Sequence, residues 1–427
     1  HVPSQLTKIW QADFGGRLSS LTAAGGKVFV ASIDTHTVHA LNGSDGNRLW
    51  SYTAGGRIDS PPTVYKEFVF FGSADGWVYA LRITDGKLAW RFRAAPEERL
   101  TFVNGQLESL WPVHGSVLIK DDVLIVTAGR SSYLDGGIRL YRLEPQTGRQ
   151  ISATVIYSPD PEMGKQPKEG GKEMRGVLSD VLSTYNNDVY MRHVKLDFEK
   201  ASETGTGVHL FTPIGFLDDS WWHRAYWVVN DEFLSHWSAW WKIGNLVPSG
   251  RILSYNEKAV FGYGRDQYPK GNTGQWRGGE KYQLFAFERD PLSKDKGTIQ
   301  SITGKNRNKR AASSLSTLEY RWTEQVPLLV TAMVVADKTM FIAGPPDTIR
   351  TQDNLGEGAL KLENPKEAPA SWQGKKGSLL RAVSVIDGIN LAEYNLESTP
   401  VWDGMAATNG RIYLSMKNGR ILCLSEK

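Results

Sequence analysis

Arginines grouped with carboxylates or histidines flank many of the short apolar runs in this sequence. Arg17, Arg57 with Asp59, Trp111 with His114, Arg175 with Asp180, Arg251, and Trp402 with Asp403 precede such runs. Arg130, Arg192 with His193, and Arg265 follow others. The planar guanidinium fork matches carboxylates and sulfates, so a ring of arginines has an anion as its natural guest. Abstracting a proton next to a carboxylate needs a cation to neutralise the acid and a base to take the proton. Arg57, Arg130, Arg175, Arg192 and Arg265 suit the first role, and His114, His193 and Tyr133 suit the second. The competing reading is structural, because charged groups at strand ends are often solvated or paired with one another.

A second concentration lies in 218–245, which holds Trp221, Trp222, Trp227, Trp237, Trp240 and Trp241. Trp227 reads as a strand residue. Trp237, Trp240 and Trp241 fall in a loop, where indoles either stack on sugar rings or form the loop's own small core. No metal site is expected: the chain has no His-x-His, no Cys-x-x-Cys and no Asp-rich calcium loop. It also lacks a Cys-x-x-Cys-His haem attachment, a Gly-x-Ser-x-Gly elbow and a phosphate-binding glycine loop.

Composition narrows the classes further. The 427 residues carry 50 Lys+Arg against 46 Asp+Glu, a net charge of +4, too balanced for a dedicated nucleic-acid binder. No apolar run approaches the roughly 20 residues that span a bilayer. The single cysteine, Cys423, reads as a small buried residue and permits no intramolecular disulfide. The start at His1-Val2-Pro3, without methionine, reads as a processed or trimmed product, and the expected location is periplasmic or secreted.

The elements that would position these residues come from a repeat. Residues 24–50 and 64–90 are two copies of one pattern, each ending Asp-Gly, three residues, Trp: Asp45-Gly46 before Trp50, and Asp85-Gly86 before Trp90. The two tryptophans are 40 residues apart, the length of a four-stranded propeller blade. Alternating runs at 28–31, 38–41, 68–72 and 78–81 predict strands, and Ala74-Asp75-Gly76 predicts a tight hairpin. Looser copies are expected near 114–152, 179–229, 251–322 and 328–394. The last, 405–425, stops one strand short. Lys8-Ile9-Trp10 supplies that strand from the other end of the chain, closing the ring. The count is seven blades, or eight if 216–256 hides another, in one all-β propeller domain spanning 1–427.

Long insertions are expected at 93–110, 157–178, 195–207, 230–248, 265–281 and 344–378. In a meander running outward from the axis, all six fall on one face, and 290–318 falls on the other. Long loops on one rim of a rigid scaffold are where function usually sits.

The small–Asp–Gly turn and the Asp-Gly-Lys-x-x-Trp ending, as in Asp85 to Trp90, resemble the quinoprotein-like (PQQ-repeat) propeller superfamily. The resemblance is specific over the first two blades. Its quinone dehydrogenases have eight blades, an adjacent cysteine pair and calcium carboxylates. Cys423 stands alone, so the resemblance implies the fold and no quinone cofactor.

Two functions follow as expectations. One is a propeller that binds or degrades an acidic or sulfated polysaccharide at the axial mouth, as bacterial polysaccharide lyases of propeller fold do. The other is a non-catalytic protein-interaction scaffold, similar to the periplasmic propeller subunit of the outer-membrane assembly machinery. In that reading the long-loop face receives a protein partner.

Overall fold

The computed structural model describes residues 3–159, 176–198, 208–212, 214–219, 225–228, 248–265, 282–289, 319–350, 361–362 and 364–426. Among these residues the strands form eight blades of a β-propeller, six of four strands and two of three. In chain order they occupy 18–53, 63–93, 118–156, 182–195, 209–250, 252–324 and 332–396. The eighth is 400–425 completed by Thr7–Asp13. That last pairing is the expected closure, with Thr7 opposite Ser425 and Asp13 opposite Arg420.

The count is eight, the alternative that the sequence left open at 216–256. The segment 179–229, read as one blade, divides. Leu182–Tyr185, Asp188–Met191 and Val194–Lys195 form one sheet, whereas His209–Phe211 pairs with Ala225–Val228, which pairs with Ser249–Gly250. The extra blade was hidden because its strands are only two to four residues long and lack the Asp-Gly…Trp ending.

Middle strands of each blade are apolar on both sides because each is packed between two neighbouring sheets. Val28, Phe29, Val30, Phe70, Phe71, Phe341 and Ile342 are all fully buried. The repeat's tryptophan joins one blade to the next. Trp50, in the outer strand Arg48–Thr53, donates its indole N–H to the Ile83 carbonyl of the following blade at 3.2 Å. Its ring lies against Gly86, where a Cβ would stand 2.5 Å from Cδ2, and Gly86 has φ +69. Only glycine meets both demands at once.

The same contact recurs as Trp10 on Gly46, Trp90 on Gly148 and Trp322 on Gly388. Their indoles donate to the carbonyls of Gly43, Pro145 and Val385. Trp227 follows the hydrogen-bonding half of the rule, donating to Arg289 O at 3.0 Å, and takes the Arg289 guanidinium beside its ring. The Asp-Gly…Trp ending is therefore a docking element between blades, and Trp10 uses it to join the last blade to the first.

Insertions leave the ring at defined points. Within 93–110, Leu100–Val103 and Gln106–Ser109 form a two-stranded ribbon with Phe102 opposite Leu107. Within 344–378 lie a short strand pair, Ile349–Arg350 with Lys361–Leu362, and one helical turn, Ala368–Trp372. Most of 157–178, 195–207, 230–248 and 265–281, and all of 290–318, lie outside the described residues.

Candidate functional site at the axial mouth

Arg57 and Asp59 precede the inner strand Thr63–Tyr65, and His114 precedes Leu118–Lys120 in the next blade. The two links come together through Asp59. One of its oxygens accepts Arg57 Nε–H at 2.6 Å, and the other lies 2.8 Å from His114 Nδ1. Burial alone would raise this carboxyl, but the hydrogen bonds from His114 and Arg57 outweigh it and hold Asp59 below the usual carboxylate range.

Arg57 also reaches Glu108 on the ribbon, 3.2 Å from Nη2 to Oε2. Arg130, at the end of the second strand of the third blade, pairs with the other Glu108 oxygen. Arg130 Nη1 donates to the carbonyls of Ser109 and Leu110 at 3.0 and 2.9 Å. Beside them Arg17 forks onto Asp34 at 2.6 and 3.0 Å. Three guanidinium groups here face three carboxylates, Asp34, Asp59 and Glu108, so this sector is internally neutralised.

The other expected clamps are spread over different sectors. Arg192 sits 3.6 Å from Asp180, whose Oδ1 also accepts the Phe216 N–H at 3.0 Å. Arg251 is buried, donates to Val330 O at 3.0 Å and lies over the Trp402 ring at 4.9 Å. Burial pulls its pKa down to about 10, which leaves it charged at neutral pH. Arg265 is buried at the end of Ala259–Arg265. His193 stands edge-on to Phe211, and Tyr133 packs where Gly176 leaves no room for a Cβ. Trp111 belongs to the core and donates to Asp135 O at 2.7 Å. Arg175, Trp237, Trp240 and Trp241 lie outside the described residues.

The structure thus joins Arg57, Arg130 and His114, and it does so through carboxylates of the chain itself. A cleft of about 690 Å³ does exist, but elsewhere. Thr63, Tyr65, Ser116, Asp121, Asp122 and Leu182 line it, along inner strands of three blades, and none of the expected site residues does. Among the described residues no group of three or more His, Cys, Asp or Glu could hold a metal ion.

The ribbon, not singled out from the sequence, is what this network holds. Thr101, Glu108 and Gln106 face the propeller. Gln106 pairs with His36 Nε2 at 2.9 Å and donates to Asp34 O at 3.3 Å, and Ser109 N–H bonds Ala74 O at 2.8 Å. Leu100, Phe102 and Leu107 take the other face and are 57%, 70% and 62% exposed. The signal was present: Asn104-Gly105, both at positive φ, between alternating residues is a strong hairpin signature. Leu134 and Leu178, also exposed, sit in links that open on the same face. An apolar patch held out by a polar base marks an interaction surface.

Residues 5–192 match the family model described as outer membrane protein assembly factor BamB. A 97-residue stretch is 31% identical to the outer membrane protein assembly factor BamB of Shewanella oneidensis, covering 19% of this chain and 24% of that protein. A 165-residue stretch is 26% identical to the quinoprotein ethanol dehydrogenase of Pseudomonas aeruginosa, covering 34% of this chain and 25% of that one. The chain therefore matches about a quarter of the length of these curated relatives. In three dimensions it resembles the quinohemoprotein alcohol dehydrogenase ADHIIG of Pseudomonas putida HK5 with a TM-score of 0.54 and 12% identity. That likeness covers 98% of this chain and 76% of the enzyme, and it concerns the fold alone. No helix among the described residues is long and apolar enough to cross a membrane. The tryptophan-ended repeats, the eight blades and these relatives support a PQQ-repeat, quinoprotein-like β-propeller superfamily for this chain, which carries no adjacent cysteine pair.

Proposed function

We propose that this chain is a non-catalytic docking propeller, working outside the cytoplasm in the assembly of outer membrane proteins. The observation that carries this reading is the ribbon 100–109, with Leu100, Phe102 and Leu107 exposed above a hydrogen-bonded, charge-paired base. Aromatic and large aliphatic side chains that are desolvated at the centre of a contact dominate protein–protein affinity. A rigid ribbon presents them with little ordering cost. Several relatives are outer membrane protein assembly factors by name, which points to the same kind of work.

The polysaccharide reading has lost its main support. It needs arginines free to meet uronate or sulfate, and Arg57, Arg130 and Arg17 are engaged by carboxylates of the chain. His114 is oriented by Asp59, but Arg57 beside it is already paired.

Photo-crosslinking in cells of the source organism tests the proposal, with the probe placed at position 102 and, as control, at Ile386. Ile386 is equally exposed and sits in the turn of 384–389 on the opposite face. The expected result is a cross-link from 102 to a protein of outer membrane assembly, lost when Leu107→Asp is added and absent from 386. A glycan that raises the melting temperature of the wild type but not of Arg57→Gln would overturn it.

A further inference from the structure

Glu108 is the only charged residue in the ribbon's two strands, and its side chain is the one most completely removed from water there. Its carboxylate lies between Arg57 of one blade and Arg130 of the next. Both guanidinium groups are also held by groups other than the Glu108 carboxylate. Arg57 is fixed from the blades by Asp59, itself fixed by His114, and Arg130 is fixed by the carbonyls of Ser109 and Leu110 at the ribbon's own end. What Glu108 occupies is therefore a preformed carboxylate receptor, the arrangement in which a guanidinium pair binds a planar anion best.

The fit of Glu108 in that receptor is incomplete. Arg57 is 6% exposed, yet its Nη1 is shielded from solvent and has no hydrogen-bond partner among the described residues. Glu108 Oε2 likewise accepts no well-formed hydrogen bond, only the 3.2 Å approach of Arg57 Nη2. A half-satisfied buried network is weaker than a fully satisfied one of the same residues. The ribbon's remaining attachments are polar too, and its large apolar side chains point away from the blades. Of the ribbon's attachments, the contacts of the Glu108 carboxylate with Arg57 and Arg130 are the ones another carboxylate could replace.

We propose that Arg57 and Arg130 form a carboxylate-binding site which Glu108 fills from within, and that an acidic side chain of the docking protein displaces it. Leu100, Phe102 and Leu107, already turned outward, meet the same protein beside that site. The partner's identity as a protein rests on the docking reading; the receptor itself does not. Charge balance selects a single carboxylate over a polyanion. Exchanging one carboxylate for another keeps three guanidinium groups facing three acids, whereas a polyanion adds uncompensated negative charge.

Acetate serves as the probe, compared with chloride at equal ionic strength, on the full chain. In Glu108→Ala the receptor is vacant, so acetate should raise the melting temperature saturably while chloride does not. In the wild type acetate competes with Glu108, so it should speed hydrogen exchange of the Thr101 and Gln106 amides at least threefold over chloride. Opposite effects of one ion on the two proteins are the signature. If Glu108→Ala fails to fold, Glu108→Ser, which also empties the receptor, takes its place with the same expectation. Equal responses to acetate and chloride in both proteins would overturn the receptor. A normal acetate response with no cross-link at 102 would instead count against the docking reading alone.

Discussion

Trp50 and Phe102 are both aromatic residues in short antiparallel strands, yet Trp50 is 8% exposed and Phe102 is 70% exposed. The difference lies in what faces them. Opposite Trp50 the next blade places Gly86 at φ +69 and a carbonyl 3.2 Å from the indole nitrogen, so both the ring and its N–H are satisfied. Opposite Phe102, among the described residues, stands its cross-strand partner Leu107, itself exposed. The ribbon's other face carries the polar anchors Gln106 and Glu108. Aromatic content therefore says little by itself. One seam uses apolar contact to hold blades together, and the ribbon uses polar contact to hold apolar surface out.

The sharpest way to break this contrast is to truncate each aromatic. Trp50→Ala should lower unfolding free energy by about 3–5 kcal/mol in chemical denaturation, and Gly86→Val by a similar amount, because its side chain would strike the indole. Phe102→Ala should change it by no more than about 0.5 kcal/mol. Equal costs for Trp50→Ala and Phe102→Ala would erase the distinction between seam and ribbon.

The polar anchor is the next test. Glu108→Ala takes the counter-charge from Arg130 and leaves Arg57 with Asp59 alone, and should cost about 2–4 kcal/mol, measured the same way. Loss of less than about 0.5 kcal/mol would mean that the ribbon is held by something other than this pair.

The seam between the first and last blades gives a pH signature. Burial, with a smaller contribution from Arg48, holds His39 down to about 4, against an ordinary value of 6.5. The folded state therefore resists a proton that the unfolded chain accepts. Stability is present above about 6.5 and is lost as pH falls toward about 4, by about 2 kcal/mol. His39→Gln should flatten that slope in melting curves. A second loss, as Asp59 is protonated, follows below about 4, because its folded pKa is depressed.

The smallest expected effect on stability belongs to Phe102→Asp, about 0.5 kcal/mol or less, with complete loss of the cross-link at the ribbon. Stability and docking should separate at this residue and nowhere in the Trp–Gly seam.

Much of the architecture was legible in the residues. The 40-residue interval from Trp50 to Trp90, with Asp-Gly before each, identifies a blade, and Trp10 at one end and 411–424 at the other identify ring closure. These features are local: a positive-φ turn and an alternating strand impose their geometry whatever surrounds them. The eighth blade was legible only as a possibility at 216–256, because His209–Phe211 and Ser249–Gly250 are too short to show a period and find their partners only across long insertions. The arginines of the mouth were found by position, but their state was not. Whether Arg57 and Arg130 are open to a ligand depends on Glu108, which lies 51 and 22 positions away and enters only because Asn104-Gly105 folds the ribbon back. Sequence determined the strands, their turns and the repeat, since those follow from backbone sterics and side-chain alternation. Only the tertiary structure decided which charges meet, because electrostatic pairing depends on distances of a few ångströms between segments far apart in the chain.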